Sequence, residues 1–313
     1  MTSSLPQRLT ADPLELPVAH HGEGPVWDSA RQRLLWVDLM AGRVLEWSPA
    51  DGAVAERQLG RDVGAVAPRA GGGLVAAVRE GFVLIDADGG ERLLAAPLAD
   101  QPELRMNDGG VDPWGRFWAG SMAYDARAGA GTLYRVDLDG VEPVLTGVTI
   151  SNGIDWDPTG RWCYYVDSRE RRVDRFAFDP EHGALGERTV LVDLAQVAGE
   201  PDGLTIDSEG CVWVAMWDGR QVRRHAPDGA LLAIVDVPVD RPTSCAFGGE
   251  DLDRLYITTS RYGLSAEQLS GQPLAGKVLC LAPGVSGKAA TPFGGSSASP
   301  TMQEAQCASP PSK

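Results

Sequence analysis

Glu200-Pro201-Asp202-Gly203-Leu204-Thr205-Ile206-Asp207-Ser208-Glu209-Gly210-Cys211-Val212-Trp213-Val214-Ala215 reads as a short apolar strand, an Asp-x-x-Gly turn and a second apolar strand. Alternating apolar residues on both sides of that turn are the signature of a β-hairpin. The phrase recurs upstream as Asn152-Gly153-Ile154-Asp155-Trp156-Asp157-Pro158-Thr159-Gly160 and as Asn107-Asp108-Gly109-Gly110-Val111-Asp112-Pro113-Trp114-Gly115. With the copies aligned on the turn residues Asp112, Asp157 and Asp207, a carboxylate or amide stands five residues earlier, at Asn107, Asn152 and Asp202. The same register from Asp28 returns Glu23, and two weaker copies return Asp62 and Thr243.

Six such units of roughly 40–50 residues, each with three or four short strands, fit the period of propeller blades. No unit shows a sustained i, i+3, i+4 apolar pattern, which excludes helical repeats. The expected fold is all-β: a six-bladed β-propeller in one domain over residues 13–284, with a disordered Ser/Pro/Gly/Ala-rich tail over 285–313. Residues 1–12 read as loose. A lone strand over residues 14–19, marked as an edge by Pro17, is expected to complete the last blade from outside and so remove an exposed edge. Residues 265–272 read as a short helical insertion.

Composition narrows the function. The chain has 313 residues, 43% of them hydrophobic, with 38 Gly and 22 Pro, which suits a turn-rich β architecture with a full core. A formal charge of −15 argues against a nucleic-acid partner, which needs a basic face. Cys163, Cys211, Cys245, Cys280 and Cys307 are odd in number, widely spaced and without a C-x-x-C pair. They read as free thiols in a reducing compartment, not as disulfides or a zinc cluster. Residues 1–17 carry no apolar leader and nothing approaches a membrane span, so a cytoplasmic protein without an obligate protein partner is expected.

In a propeller the first strand of each blade lines the central channel, so equivalent positions converge on the axis. Glu23, Asn152 and Asp202 are then three oxygen donors around one point, with Asp62, Asn107 and Thr243 nearby. Two carboxylates and an amide oxygen suit one divalent cation and leave positions for water and substrate. Without a cation, desolvated carboxylates repel. An Asp or Asn before Gly is an ordinary turn former. Six polar residues in one register shift the reading to a shared site, while the turn aspartates Asp28, Asp112, Asp157 and Asp207 are assigned to turn-making. His20 and His21 read as solvated or loop-tying, and His182 and His225 as exposed. Ser151, Ser244 and Ser260 lack a G-x-S-x-G context, which disfavours a serine nucleophile.

Gly22-Glu23-Gly24-Pro25-Val26-Trp27, Arg105-Met106-Asn107-Asp108-Gly109, Arg116-Phe117-Trp118-Ala119-Gly120-Ser121-Met122, Ser151-Asn152-Gly153-Ile154-Asp155-Trp156, Pro201-Asp202-Gly203 and Pro242-Thr243-Ser244-Cys245-Ala246-Phe247-Gly248-Gly249 closely resemble the SMP-30/gluconolactonase/luciferin-regenerating-enzyme family. The resemblance covers about residues 15–285. It implies a single divalent metal held by Glu23, Asn152 and Asp202, with sugar-lactone hydrolysis as the usual activity. It also implies that Arg105 and Asn107 engage substrate hydroxyls. Where regucalcin-type members carry a further glutamate, this chain has Asp125, one methylene shorter. The small-molecule substrate expected is an aldonolactone, with Asp202 accepting the proton of the attacking water. The metal (Ca²⁺, Zn²⁺, Mn²⁺, Mg²⁺ or Fe²⁺) stays open. So do two alternatives: hydrolysis of another ester or phosphotriester, and a non-catalytic calcium-binding propeller.

Overall fold

The computed structural model describes residues 5–294. Six antiparallel sheets of four strands each stand around one axis, and one of them gains a fifth, parallel strand. The innermost strands are Gly22–Asp28, Val63–Pro68, Leu104–Val111, Ser151–Trp156, Glu200–Ile206 and Pro242–Gly248. Each is followed outward by its next strands in chain order, so the chain builds blades 1 to 6 in turn. A hydrophobic core fills each gap between neighbouring blades, including the gap between blades 6 and 1. Tryptophans bridge several gaps: Trp118 meets Trp156 at 5.6 Å between blades 3 and 4, and Trp27 stacks on Tyr256 at 5.9 Å between blades 1 and 6.

The ring closes as expected, but through other residues. Asp12–Pro13 pairs antiparallel with Leu279–Leu281 as the outermost strand of blade 6, and the Leu14 amide donates to the Val278 carbonyl at 2.9 Å. Within residues 14–19 the pairing is interrupted, because the Leu16 amide turns back onto the Leu14 carbonyl and Pro17 has no N–H to offer, and the Ala19 amide rejoins the blade at the Gly276 carbonyl. The segment expected to be loose also contributes: Gln7–Thr10 pairs in parallel with the outer strand of blade 5, Leu231–Asp236. The short helix lies within its expected segment, at Ala266–Ser270, opened by a capping box between Ser265 and Gln268.

The expected tail boundary at 285 is early. Ser286 accepts from the Ser208 amide, the Gly287 amide donates to the Leu252 carbonyl, and Phe293 exchanges backbone bonds with Pro68 and Ala70. This segment therefore crosses from blades 5 and 6 to blades 2 and 3, with Lys288 lining the axial channel and paired with Asp155 at 2.6 Å. Phe293 is buried in the core between blades 2 and 3, which a composition-based reading of a Ser/Pro/Gly-rich stretch overlooks. The rest of the expected tail, 295–313, lies outside the described residues.

The turn aspartates tie down the hairpins. Asp207, fully buried, accepts from the amides of Glu209 (3.0 Å) and Cys211 (2.9 Å), from Trp213 Nε1 (2.9 Å) and from Arg224 Nε (2.8 Å). Asp112 repeats the pattern with the amides of Trp114 and Arg116, Trp118 Nε1 and Arg116 Nε. Asp28 and Asp157 also accept amides of their own turns. Asp207→Ala leaves four donors without their acceptor, two of them buried or nearly so, and should lower the unfolding free energy by about 3 kcal/mol in urea titrations.

His225, expected at the surface, is buried in blade 5. Its Nδ1–H donates to the Gly229 carbonyl at 3.1 Å, and Nε2 has no partner among the described residues. Burial, with Arg223 nearby, pushes its pKa down to about 4 against the Gly229 bond. The unfolded chain takes up that proton near pH 6.5, so between these values the unfolded state binds more protons. Stability present above about pH 6.5 is therefore lost as the pH falls toward 4. Wild type should lose on the order of 2–3 kcal/mol more than His225→Leu across that window, read from urea titrations of both proteins.

Candidate active site

Every innermost strand carries a break in register at the same place, where its pairing with the second strand skips: Glu23/Val26, Val63/Ala65, Met106/Gly109, Ser151/Ile154, Pro201/Leu204 and Pro242/Ser244. A bulge re-aims side chains and bends the strand. Here it falls on the repeat position found in the sequence. Glycine follows three of the site residues, as Gly24, Gly153 and Gly203. A Cβ on Gly153 would stand 2.5 Å from the Leu204 amide nitrogen, and one on Gly203 would stand 2.1 Å from Ser244 Oγ. These glycines let neighbouring inner strands approach closely, which draws Glu23, Asn152 and Asp202 together at the axis.

Glu23, Asn107, Asn152 and Asp202 all line one cavity of about 250 Å³ at the upper end of the channel, with Arg105 above them. All five are buried. Burial is the main cause that raises the pKa of both Glu23 and Asp202 well above the ordinary carboxylate value; the nearby charges of Asp202 and Asp108 add to it for Glu23, and that of Asp108 for Asp202. Asp108, also buried and accepting from the Gly109 amide at 2.7 Å, is pushed up to about 6 by burial. Sequence reading quoted Asp108 without assigning it. The one signal was its place directly after Asn107, inside the bulge.

The Asn152 amide supplies the clearest observation. Its Nδ2 donates to Ser168 Oγ at 2.9 Å, and its Oδ1 is buried with no partner among the described residues. Ser168, which no motif marked, thereby orients the amide oxygen. Among the described residues no three His, Cys, Asp or Glu side chains stand at ligand spacing, so a cation here needs the amide as a donor. Two desolvated, mutually repelling carboxylates beside an unpartnered amide oxygen are the donor set a divalent cation fits.

Arg105 donates to Asn107 Oδ1 at 2.6 Å and to the Met106 carbonyl, and Asn107 Nδ2 in turn donates to the Ser151 carbonyl at 2.8 Å. Among the described residues no carboxylate lies within ion-pair distance of Arg105; burial lowers its pKa, opposed by the charges of Asp62, Tyr124 and Glu23. Tyr124, its ring 5.9 Å below the Arg105 guanidinium carbon, donates its hydroxyl to Asp62 at 2.6 Å. His21, expected to be solvated or loop-tying, is buried in the cavity wall, and burial first and Arg105 second push its pKa down to about 3.

Three expected neighbours lie elsewhere. The Arg69 amide donates to the Gly73 carbonyl as that of Asp112 does to Arg116 and that of Asp207 to Cys211, which puts Gly64, not Asp62, at the register position of blade 2; Asp62 sits two residues earlier and reaches the site through Tyr124. Thr243 holds the register position of blade 6, but its hydroxyl is committed to the Gly22 carbonyl at 2.6 Å and to Thr258. Asp125 is exposed on the loop beyond Tyr124 and accepts from the Arg127 amide, a turn contact, so it is Tyr124 that faces the cavity. A loop residue's direction depends on its turn, which spacing alone does not encode.

The architecture defines a six-bladed propeller with an oxygen-rich axial site beneath a buried arginine. The chain belongs to the SMP-30/gluconolactonase/LRE-like family, whose profile matches residues 21–261. It is 42% identical over 278 residues to 6-deoxy-6-sulfogluconolactonase from Pseudomonas putida, covering 88% of this chain and 95% of that one. It is 38% identical over 285 residues to regucalcin from Sus scrofa, covering 88% and 95%. Among solved structures, a calcium-binding regucalcin from Agrobacterium tumefaciens superposes with a TM-score of 0.88 at 30% identity, covering 93% of this chain and 99% of that chain. No helix among the described residues is long and apolar enough to cross a membrane.

Loss of a donor should show directly in cation binding. Asn152→Ala and Glu23→Gln should each weaken divalent-cation binding by tenfold or more in calorimetric titrations, by analogy with other trimmed ligand sets. Unchanged affinity in both would mean that these residues do not hold a cation.

Proposed function

We propose that the protein is a metal-dependent lactonase that opens a sugar lactone, of the gluconolactone or pentonolactone type, to its aldonic acid. The observation that carries the reading is the unpartnered Asn152 oxygen in the same cavity as the buried carboxylates Glu23 and Asp202. Family membership and the named activity of the Pseudomonas putida relative support it.

Glu23, Asn152 and Asp202 would hold the cation. When bound, a divalent cation supplies a Lewis acid for the lactone carbonyl and offsets the charge that develops on its oxygen. Hydrolysis adds water to the carbonyl carbon and breaks the ring C–O bond, and the ring oxygen leaves as a hydroxyl. Asp202 is assigned as acceptor of the water's proton, which the departing ring oxygen later regains. Arg105 and Asn107, already joined at 2.6 Å, form a preorganised pair for hydroxyl or carboxylate oxygens. The low exposure of the pair limits the reorganisation needed on binding.

Hydrolysis of gluconolactone, xylonolactone and the sulfonated gluconolactone should be lost with EDTA and restored by one or more of the candidate metals. Asp202→Asn should lower kcat by about 10³-fold with the fold retained. Arg105→Ala should raise KM by about 10–100-fold without a matching loss of cation affinity. The calcium-binding relative favours one second reading. Tight calcium binding with no turnover on this panel would select a non-catalytic propeller.

A further inference from the structure

The site residues form one ring of the funnel, and the residues two positions earlier on the same strands form another. Side chains two apart on a strand share a face and lie roughly 7 Å apart along it. Counted back from the register positions, the second ring is His21, Asp62, Arg105, Ile150, Glu200 and Arg241. Of these only His21, Arg105, Ile150 and Glu200 line the cavity. Ile150 is apolar and Glu200 is engaged by Arg169 at 2.8 Å. The donors of this ring that face the cavity are therefore Arg105 and His21, on blades 3 and 1.

The hydrogen bonding of His21 points to the ring nitrogen that carries the proton. Nδ1 lies 2.9 Å from Ser260 Oγ. Ser260 is fully buried, and its Oγ already accepts from the Tyr262 amide at 3.0 Å. Its hydroxyl hydrogen has no acceptor among the described residues except His21 Nδ1, so Ser260 donates and Nδ1 accepts. The proton then sits on Nε2. That atom, unlike Nε2 of His225, is not sealed in the interior, and His21 lines the cavity. Beside it, Tyr262 stacks on the imidazole at 5.3 Å and Trp217 meets it edge-on at 5.6 Å. Both of these rings line the same cavity.

We propose that His21 Nε2–H donates a hydrogen bond to an oxygen on the part of the lactone remote from its carbonyl, and that Trp217 and Tyr262 form the apolar face for the sugar's C–H surface. Ser260 acts as the positioning residue that fixes the imidazole tautomer. The inference rests on the lactonase reading for the identity of the ligand but not for the tautomer. It assigns this wall the recognition of the polyhydroxylated end, one ring above Glu23.

Two lactones separate this role from packing: δ-gluconolactone, which carries remote hydroxyls, and δ-valerolactone, which carries none. His21→Phe should lower the kcat/KM preference for gluconolactone by about tenfold, chiefly through KM, with kcat on gluconolactone within about threefold of wild type. His21→Gln, which keeps an N–H donor, should recover most of the preference. ¹⁵N NMR of wild type should show the Nε2–H tautomer at His21, and Ser260→Ala should show a mixture. Titration with gluconate should shift the His21 Nε2–H resonance, a readout independent of turnover. An Nδ1–H tautomer in wild type, equal losses on both lactones, or no gluconate shift would each overturn the proposal. If wild type hydrolyses neither lactone yet gluconate shifts His21, the lactonase reading fails and the subsite stands.

Discussion

The structure depends on how closely six innermost strands can approach one axis. At the points of closest approach there is no room for a side chain. A Cβ on Gly64 would lie 1.9 Å from the Asn107 carbonyl oxygen, and those on Gly153 and Gly203 would collide with the next blade. The interblade cores press the sheets inward, and glycine at these positions lets the strands come together. The bulge in each strand then turns the residue beside the glycine toward the axis. Closing the ring and gathering the site are thus one packing solution.

That solution concentrates groups that would separate if they could. Glu23, Asp202 and Asp108 are withdrawn from water near the axis, where Asp202 and Asp108 disfavour ionisation of Glu23 and Asp108 that of Asp202. Arg105 brings a positive charge nearby but makes no ion pair with any of them among the described residues. An arrangement of this kind is costly unless a ligand completes it. The orientation of Asn152 by Ser168 and the open Asn152 oxygen point the same way. The strain of the site is electrostatic, and it is held in place by a scaffold stabilised at each gap between blades.

The polar groups of the funnel stand at two heights. Glu23, Asn107, Asn152 and Asp202 sit at the bulges, and His21 and Arg105 sit two residues away along blades 1 and 3. Tyr124 and Asp62 brace Arg105 from one side, while Ser260 braces His21 from the other. At the opposite end the segment carrying Lys288 and Phe293 ties distant blades together across the channel. Loops at the rim can therefore vary without disturbing the ring of strands below.

The repeat itself was legible from the chain. Glycine after Glu23, Asn152 and Asp202, and an aspartate five residues after each of these and after Asn107, mark four inner strands and their turns, because bulge and turn each impose a local conformation that few residues accept. The convergence of Glu23, Asn152 and Asp202 followed from that periodicity once a propeller was inferred. Tertiary structure alone decided the rest. His21 reads as a solvated or loop-tying histidine in sequence, yet it is buried, and its partner Ser260 lies 239 residues away. Asp62 reaches the site only through a tyrosine on the next blade, Asp125 turns outward on its loop, and Phe293 enters a core from beyond the expected end of the fold. Local conformation is encoded in neighbouring residues and can be read from them. Burial, partners and charge environment depend on what other blades bring alongside, and no short stretch of chain contains that information.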